Sequence, residues 1–405
     1  MKMKTFNELI NTINKKVQFV PLWSVTAWDK KFNAVDRNKQ KVVLDYYYFL
    51  AGDLKPLICE DGDVKILTTS PSNLYTKTEY VEGKFADREI VAIPWGGNPN
   101  VQYYNGRFVT ADNRIATSLD KSVLDVKFLY YYLKSQLDLI STFYRGSGIK
   151  HPDMKKVLDL LIPLPSIEDQ RTIVAFLDEI THSFEQINYT LLEKLELYQR
   201  EYDMNYNSIL NSGNIEKTVV LSTIVDFKNG KGHEKAIDSE GKYIVVNSKF
   251  VSTEGLVKKY TNDQICPVYK DDILIVMSDL PNGKALAKCF LVDENDKYSL
   301  NQRIGCLSNK SDKLLTEFLY FIINRNPQYL KYDNKIDQTN LKKEEVLGIE
   351  IPIISFNEQK IIVDKLKKLS AMQKELEESM LKKIEYREKQ YDLCLEATMA
   401  FEREE

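Results

Sequence analysis

Cysteine and histidine are scarce in this chain of 405 residues, and their placing removes several classes of function at once. The five cysteines (Cys59, Cys266, Cys289, Cys306, Cys394) lie far apart and none forms a C-x-x-C pair, so they read as reduced, mostly buried thiols. The three histidines, His151, His182 and His233, stand at no metal-ligand spacing from one another or from a cysteine, which argues against a structural zinc. Nor do they suggest a Ser/His/Asp set. Long hydrophobic runs are also missing: aliphatic stretches such as Ile273 to Met277 are too short to span a bilayer. Met1-Lys2-Met3-Lys4 is basic, but Phe6-Asn7-Glu8 follows where a signal peptide needs its apolar run. The expectation is a cytoplasmic protein with no membrane partner.

Catalytic motifs for work on nucleotides are absent as well. Asn98-Pro99-Asn100 lacks the second proline and the aromatic that hold a target amine in amino-methyltransferases. Asn282-Gly283-Lys284-Ala285 lacks the upstream glycine and the hydroxyl of a phosphate-binding loop. Glu82-Gly83-Lys84 matches half of a nuclease motif, a pattern that chance supplies often. No metal or cofactor site is visible. The net charge of −3 speaks weakly against nucleic acid as a partner. Bulk charge is a poor witness, because the acidic residues beyond Leu376 can mask a basic face elsewhere.

What is present is a globular balance, with 43% hydrophobic, 28% charged and 11% aromatic residues over a length that fits two or three domains. The chain is also written twice. Residues 162–177 (IPLPSIEDQRTIVAFL) and 351–366 (IPIISFNEQKIIVDKL) share seven identities in sixteen positions without a gap. The register continues downstream, where Leu192 meets Leu381 and Tyr202-Asp203 meets Tyr391-Asp392. Upstream, Arg114-Ile115 meets Arg303-Ile304, and a shift of one residue aligns Phe128-Leu129-Tyr130 with Phe318-Leu319-Tyr320.

Each copy ends in the same way. An Ile-Pro segment must be extended, because proline lacks the amide donor and restricts its predecessor. A serine then caps a helix: Ser355-x-x-Glu358 is a capping box, and Ser166-x-x-Asp169 a near miss. Beyond the caps, apolar residues recur every three or four with no Pro or Gly, predicting two helices each roughly 50–60 Å long. Their stripes, Ile180, Phe184, Ile187, Leu191, Leu195 and Tyr202 on one and Leu369, Leu376, Met380, Ile384 and Tyr391 on the other, suit an antiparallel coiled coil. A single stripe of this kind more often marks an ordinary core helix. The fold class expected is α+β with a pseudo-two-fold internal repeat. It comprises a short helix over 1–16, globular domains over 17–161 and 213–350, and segments carrying the long helices over 162–212 and 351–405.

Turn-like segments mixing basic, amide and small residues are candidates for contact with DNA phosphates and base edges. In the first domain they carry Trp95, Gly97, Asn98, Asn113, Arg114, Ser147, Lys150 and His151. In the second they carry Lys228, Lys231, His233, Asn247, Lys249, Asn282, Lys284, Gln302, Arg303, Gln338 and Asn340. Taken singly, any of these segments also reads as a solvated turn.

The layout resembles the specificity subunits of type I restriction-modification systems over nearly the whole chain. The strings from Ile162-Pro163 to Gln170 and from Ile351-Pro352 to Gln359 are similar to that family's I-P-x-P-x-x-x-E-Q start of a spacer helix. In the second copy Ile354 replaces the second proline and Asn357 the first acidic residue. Asp271 to Ser278 with Ser299 to Ile304, and Asp112 to Ile115 with Gly146-Ser147-Gly148, look like pieces of its recognition domains. The resemblance implies a non-catalytic subunit in which each domain reads half of a bipartite site on double-stranded DNA, and the helices fix the gap. It further implies docking of two methyltransferase subunits carrying S-adenosylmethionine, with restriction subunits using ATP and magnesium joining through them. Two other readings stay open: a protein-interaction scaffold of two domains on a coil, and a DNA-modifying enzyme whose motifs have drifted.

Overall fold

A computed structural model describes residues 6–29, 42–280, 285–333 and 335–404. The chain divides into two compact units, Met1–Leu192 with Leu381–Glu405, and Glu193–Met380.

The first unit is built on a seven-stranded mixed sheet, in the order Val43–Leu44, Thr26–Asp29, Asn113–Ser118, Ala86–Pro94, Gln102–Thr110, Val64–Leu67, Tyr75–Thr76. An apolar core packs on each of its faces. In Ala86–Pro94 the alternation of a strand sends Val91 and Ile93 to a core with Trp28, Phe128 and Leu129, while Ile90 and Ala92 join Ala27, Phe108 and Ile115 on the other side. The aromatic helix Val126–Ser135 covers the first of these faces; its Asp125 cap accepts from the amides of Lys127 and Phe128. That helix ends at Gln136, and a second, shorter one follows at Leu137–Ser141. The helix Phe6–Thr12 buries Leu9 in the same core and sets Phe6 6.5 Å from Phe176.

The second unit has a four-stranded sheet, Val225–Asn229, Ile304–Asn309, Ile273–Val276, Cys289–Leu291, and a three-stranded one, Tyr260–Thr261, Tyr243–Val246, Tyr298–Leu300. Ile273 and Ile275 face one core and Leu274 and Val276 another. Cys266, Cys289 and Cys306 are buried, Cys59 and Cys394 half-buried, and all five are free thiols. Burial pushes the Cys306 thiol up to about 12, far from the reactive thiolate form.

The end of each copy is built alike. The Ile-Pro segments are extended: Leu161–Pro163 pairs antiparallel with Phe19–Pro21, and Glu350–Ile353 with Lys217–Val220. The helices that follow, Ile167–Leu210 and Phe356–Met399, have 44 residues each. Ser355 completes both halves of its box, its Oγ accepting from the Glu358 amide at 3.3 Å while its own amide donates to Glu358 Oε2 at 3.2 Å. Ser166 makes only the first half, accepting from the Asp169 amide at 3.1 Å.

A buried glutamine locks each helix to its own domain. Gln170 Oε1 accepts from the Asp125 amide at 2.8 Å, and its Nε2 donates to the carbonyls of Val123 and Pro165 at 2.8 and 2.9 Å. Gln359 repeats the pattern with the Leu315 amide at 2.8 Å and the carbonyls of Lys313 and Ile354 at 2.8 and 3.0 Å. Beside each glutamine an ion pair joins the aromatic helix to the long one, with its polarity reversed between units. It is Lys127 with Asp178 at 2.7 Å in the first, and Glu317, in the corresponding helix Thr316–Ile323, with Lys367 at 2.5 Å in the second.

Within each unit the two long helices touch. In the first, Phe184 stacks on Tyr391 with ring centroids 5.0 Å apart, and Thr181 Oγ1 lies 3.0 Å from the Tyr391 hydroxyl. In the second, Tyr202 lies 3.0 Å from Ser370 and Gln199 3.3 Å from Gln373, so three residues forward on one helix match three back on the other, and the two helices run antiparallel here. Ile180, Phe184, Leu191, Leu195, Tyr202, Leu369, Leu376 and Ile384 are half-buried, and Met380 and Tyr391 buried. Ile187 is a correction, being 37% exposed. The covered stripe steps from Phe184 to Asn188 and Leu191, and Ile187 stands one position off it.

Candidate nucleic-acid interface

In the first unit two loops meet beyond the end of strand Ala86–Pro94. The hairpin formed by Tyr144–Arg145 and His151–Pro152 is tied to that strand by the Tyr144 hydroxyl, which donates to the Pro94 carbonyl at 2.8 Å. His151 places Nδ1 2.6 Å from the Trp95 carbonyl and its ring 5.4 Å from the Trp95 ring. The Gly97 amide donates to the Lys150 carbonyl at 3.2 Å. Gly146 holds φ at +144°, and a Cβ there would fall 2.6 Å from the Ile149 carbonyl oxygen, so the tip needs glycine. Gly97, Asn98, Ser147, Lys150 and His151 are exposed around this junction, with Trp95 half-buried beneath them.

Asn113 and Arg114 do not belong to that surface. They lie in strand Asn113–Ser118, covered on both faces, and are fully buried. Arg114 Nε lies 3.1 Å from both carboxylate oxygens of Asp29, and Nη2 donates to the Asp29 carbonyl at 2.9 Å. Asn113 donates to the Leu67 carbonyl and to Thr110 Oγ1, each at 3.1 Å. Both are framework residues; Arg114 supports the Trp95 ring, 5.7 Å above its guanidinium.

In the second unit the corresponding junction joins Ser278–Asp279, just past strand Ile273–Val276, to Thr339–Asn340. Gln338 Nε2 donates to Ser278 Oγ at 2.9 Å and to Asn340 Oδ1 at 3.2 Å. Asn340 stands at the repeat position of His151, and both segments lead into a short helix, Met154–Leu158 or Lys343–Leu347. Further loops gather here. Ser248 Oγ approaches the Ser278 carbonyl at 3.5 Å, the Asn301 amide donates to Val246 at 3.1 Å, and the Lys231 amide to Leu300 at 3.0 Å. Lys231, Lys249, Gln302, Arg303, Gln338 and Asn340 are exposed; Gln302 also bonds Glu234 at 2.9 Å.

Three candidates of this unit turn inward. His233 is buried, with Nε2 2.7 Å from Ser299 Oγ and Nδ1 2.7 Å from the Lys231 carbonyl, and holds the loop's shape. Lys228 is half-buried and donates to the Pro267 carbonyl. Asn247 caps helix Ser248–Ser252, its Oδ1 accepting from the Phe250 amide at 2.9 Å. Asn282 and Lys284 lie outside the described residues. Arg145, exposed opposite His151 in the hairpin, went unnoticed in the sequence because it precedes the glycine-rich turn. Among the described residues no group of three or more His, Cys, Asp or Glu side chains could hold a metal ion, and no helix is long and apolar enough to cross a membrane.

Comparison with known proteins matches this architecture to one family. The family model described as "Type I restriction modification DNA specificity domain" matches twice, over residues 51–197 and 216–386. The type I restriction enzyme MjaVIII specificity subunit of Methanocaldococcus jannaschii is 22% identical over 339 residues, covering 73% of this chain and 78% of that one. The EcoR124I/EcoR124II specificity subunit of Escherichia coli is 22% identical over 313 residues, covering 72% and 75%. A solved chain from a study of complex assembly and conformational transition in the type I restriction-modification system is 14% identical, covers 96% of this chain and 98% of its own, and superposes with a TM-score of 0.62, a likeness of fold. With two family domains spanning most of its length, this chain belongs to the type I restriction-modification DNA specificity family.

Proposed function

We propose that each unit reads one half of a bipartite site on double-stranded DNA, and that the two long helices form an antiparallel coiled coil that sets the gap between the halves. The observation that carries this reading is the recurrence, in both units, of two loops pinned together beyond a central strand, one of the two loops lying at the same repeat position, that of His151 and Asn340. Exposed Asn, Gln, Lys and Arg side chains around such a junction can bond phosphates and base edges. The helices support the second part, since a rigid helix converts residue count into length.

The same helices are proposed to dock two methyltransferase subunits. Tyr189, Leu197, Met204, Met372, Tyr386 and Leu393 are each more than half exposed on them, apolar surface outside the covered stripe. In this reading S-adenosylmethionine is carried by those partners, ATP and magnesium by restriction subunits joined through them, and the present chain, working in the cytoplasm, holds no cofactor. A gel shift with the methyltransferase subunits present tests the proposal. Sequence-selective retention of DNA is expected. Retention of no DNA would favour a protein-interaction scaffold, and transfer of label from S-adenosylmethionine by the chain alone would make it an enzyme.

A further inference from the structure

The tip of the first unit's hairpin carries a side chain that solvent does not favour. Ile149 is 69% exposed between Gly148 and Lys150. It is held in place from below: a Cβ on Gly96 would lie 2.9 Å from Ile149 Cγ2, so the glycine makes room for the branched stem. The tip is braced by the Gly97–Lys150 and Trp95–His151 contacts, and Gly146 fixes its turn. Residues 145–156 around it bring four cations (Arg145, Lys150, Lys155, Lys156) against one carboxylate, Asp153, in a chain whose net charge is −3. At the matching repeat position the second unit has Gln338, an amide held by Ser278 and Asn340.

We propose that Ile149 is a specificity-determining contact with DNA, packing against the C5-methyl group of a thymine in the major groove. This rests on the DNA-reading role argued above and adds the base and the chemistry. A basic rim draws the tip to the phosphates, and the thymine methyl is the apolar group the major groove offers. The two units then differ at the same place in the fold: an aliphatic tip in the first, and in the second an amide whose two N–H groups are taken up by Ser278 and Asn340.

The test uses the full chain with its methyltransferase subunits. Methylation sequencing defines the site, and each thymine within it is replaced in turn by deoxyuridine, which lacks only the methyl. One replacement should weaken wild-type binding about fourfold, the worth of one buried methyl group. The Ile149→Ala complex should bind the two duplexes equally. A site without thymine, a wild type indifferent to every replacement, or an Ile149→Ala complex that still discriminates would each overturn the proposal. So would loss of subunit assembly in Ile149→Ala, which would make the tip a protein contact. If the wild-type complex selects no DNA sequence, the DNA-reading role itself fails and takes this contact with it.

Discussion

Replacing Gln359 by leucine would leave the Leu315 amide and the Lys313 and Ile354 carbonyls without partners in a dry site. Unpaired buried groups are costly, and a loss of about 2–4 kcal/mol is expected from urea unfolding. The repeat made this glutamine visible as an identity, but its role lay hidden, because two of its three partners, Lys313 and Leu315, sit on a segment distant in sequence. The arginines of the two Arg-Ile pairs teach the same lesson more sharply. Arg114 is buried on Asp29, whereas Arg303 is exposed. Arg114→Ala should cost about 3–5 kcal/mol by removing the buried positive charge that faces the Asp29 carboxylate. Arg303→Ala should change stability by less than about 0.5 kcal/mol while weakening DNA retention in a gel shift. Two identical dipeptides part company because Arg114 lies inside a strand against Asp29, whereas Arg303 lies in the turn just ahead of one.

At the scale of the element, the helix starts and apolar stripes were legible because their signals are local. The capping box was readable in Ser355-x-x-Glu358, and its chemistry carries a pH dependence. The Ser355 hydroxyl, followed by the Asn214 amide, holds the Glu358 carboxyl below its ordinary value. A carboxyl depressed on folding adds stability that is complete above its unfolded value and fades as pH falls through the folded one. The stability difference between wild type and Glu358→Gln should therefore exist at neutral pH and vanish in acid, as thermal unfolding across pH would record. Where the stripe crosses Ile187 and Asn188 the reading slipped by one, because hydrophobicity alone ranks isoleucine first while helix geometry buries its neighbour. The reversed ion pairs were beyond reach of the sequence, since each joins helices about fifty residues apart. Lys367→Glu should cost no more than about 1 kcal/mol in the second unit, and adding Glu317→Lys, the polarity of the first unit, should recover it in the same unfolding assay.

For the whole molecule, repetition in the chain reported the architecture and divergence limited it. The helices match residue for residue, but one unit carries a seven-stranded sheet and the other a four- and a three-stranded one. Short strands joined in parallel over long distances, such as Val64–Leu67 with Gln102–Thr110, leave little local signature. The candidate DNA surface was legible as loops and not as contacts, because burial in sheets and caps removed Asn113, Arg114, His233 and Asn247 from it. The central claim is that the paired helices measure the distance between two half-sites. The most direct measurement inserts seven residues into each helix, after Leu195 and after Leu376, and maps the methylated bases of the assembled complex by sequencing. Two added turns lengthen a helix by about 10 Å, so both half-sites should persist with about three more base pairs between them. A complex that methylates with the original spacing would contradict the account.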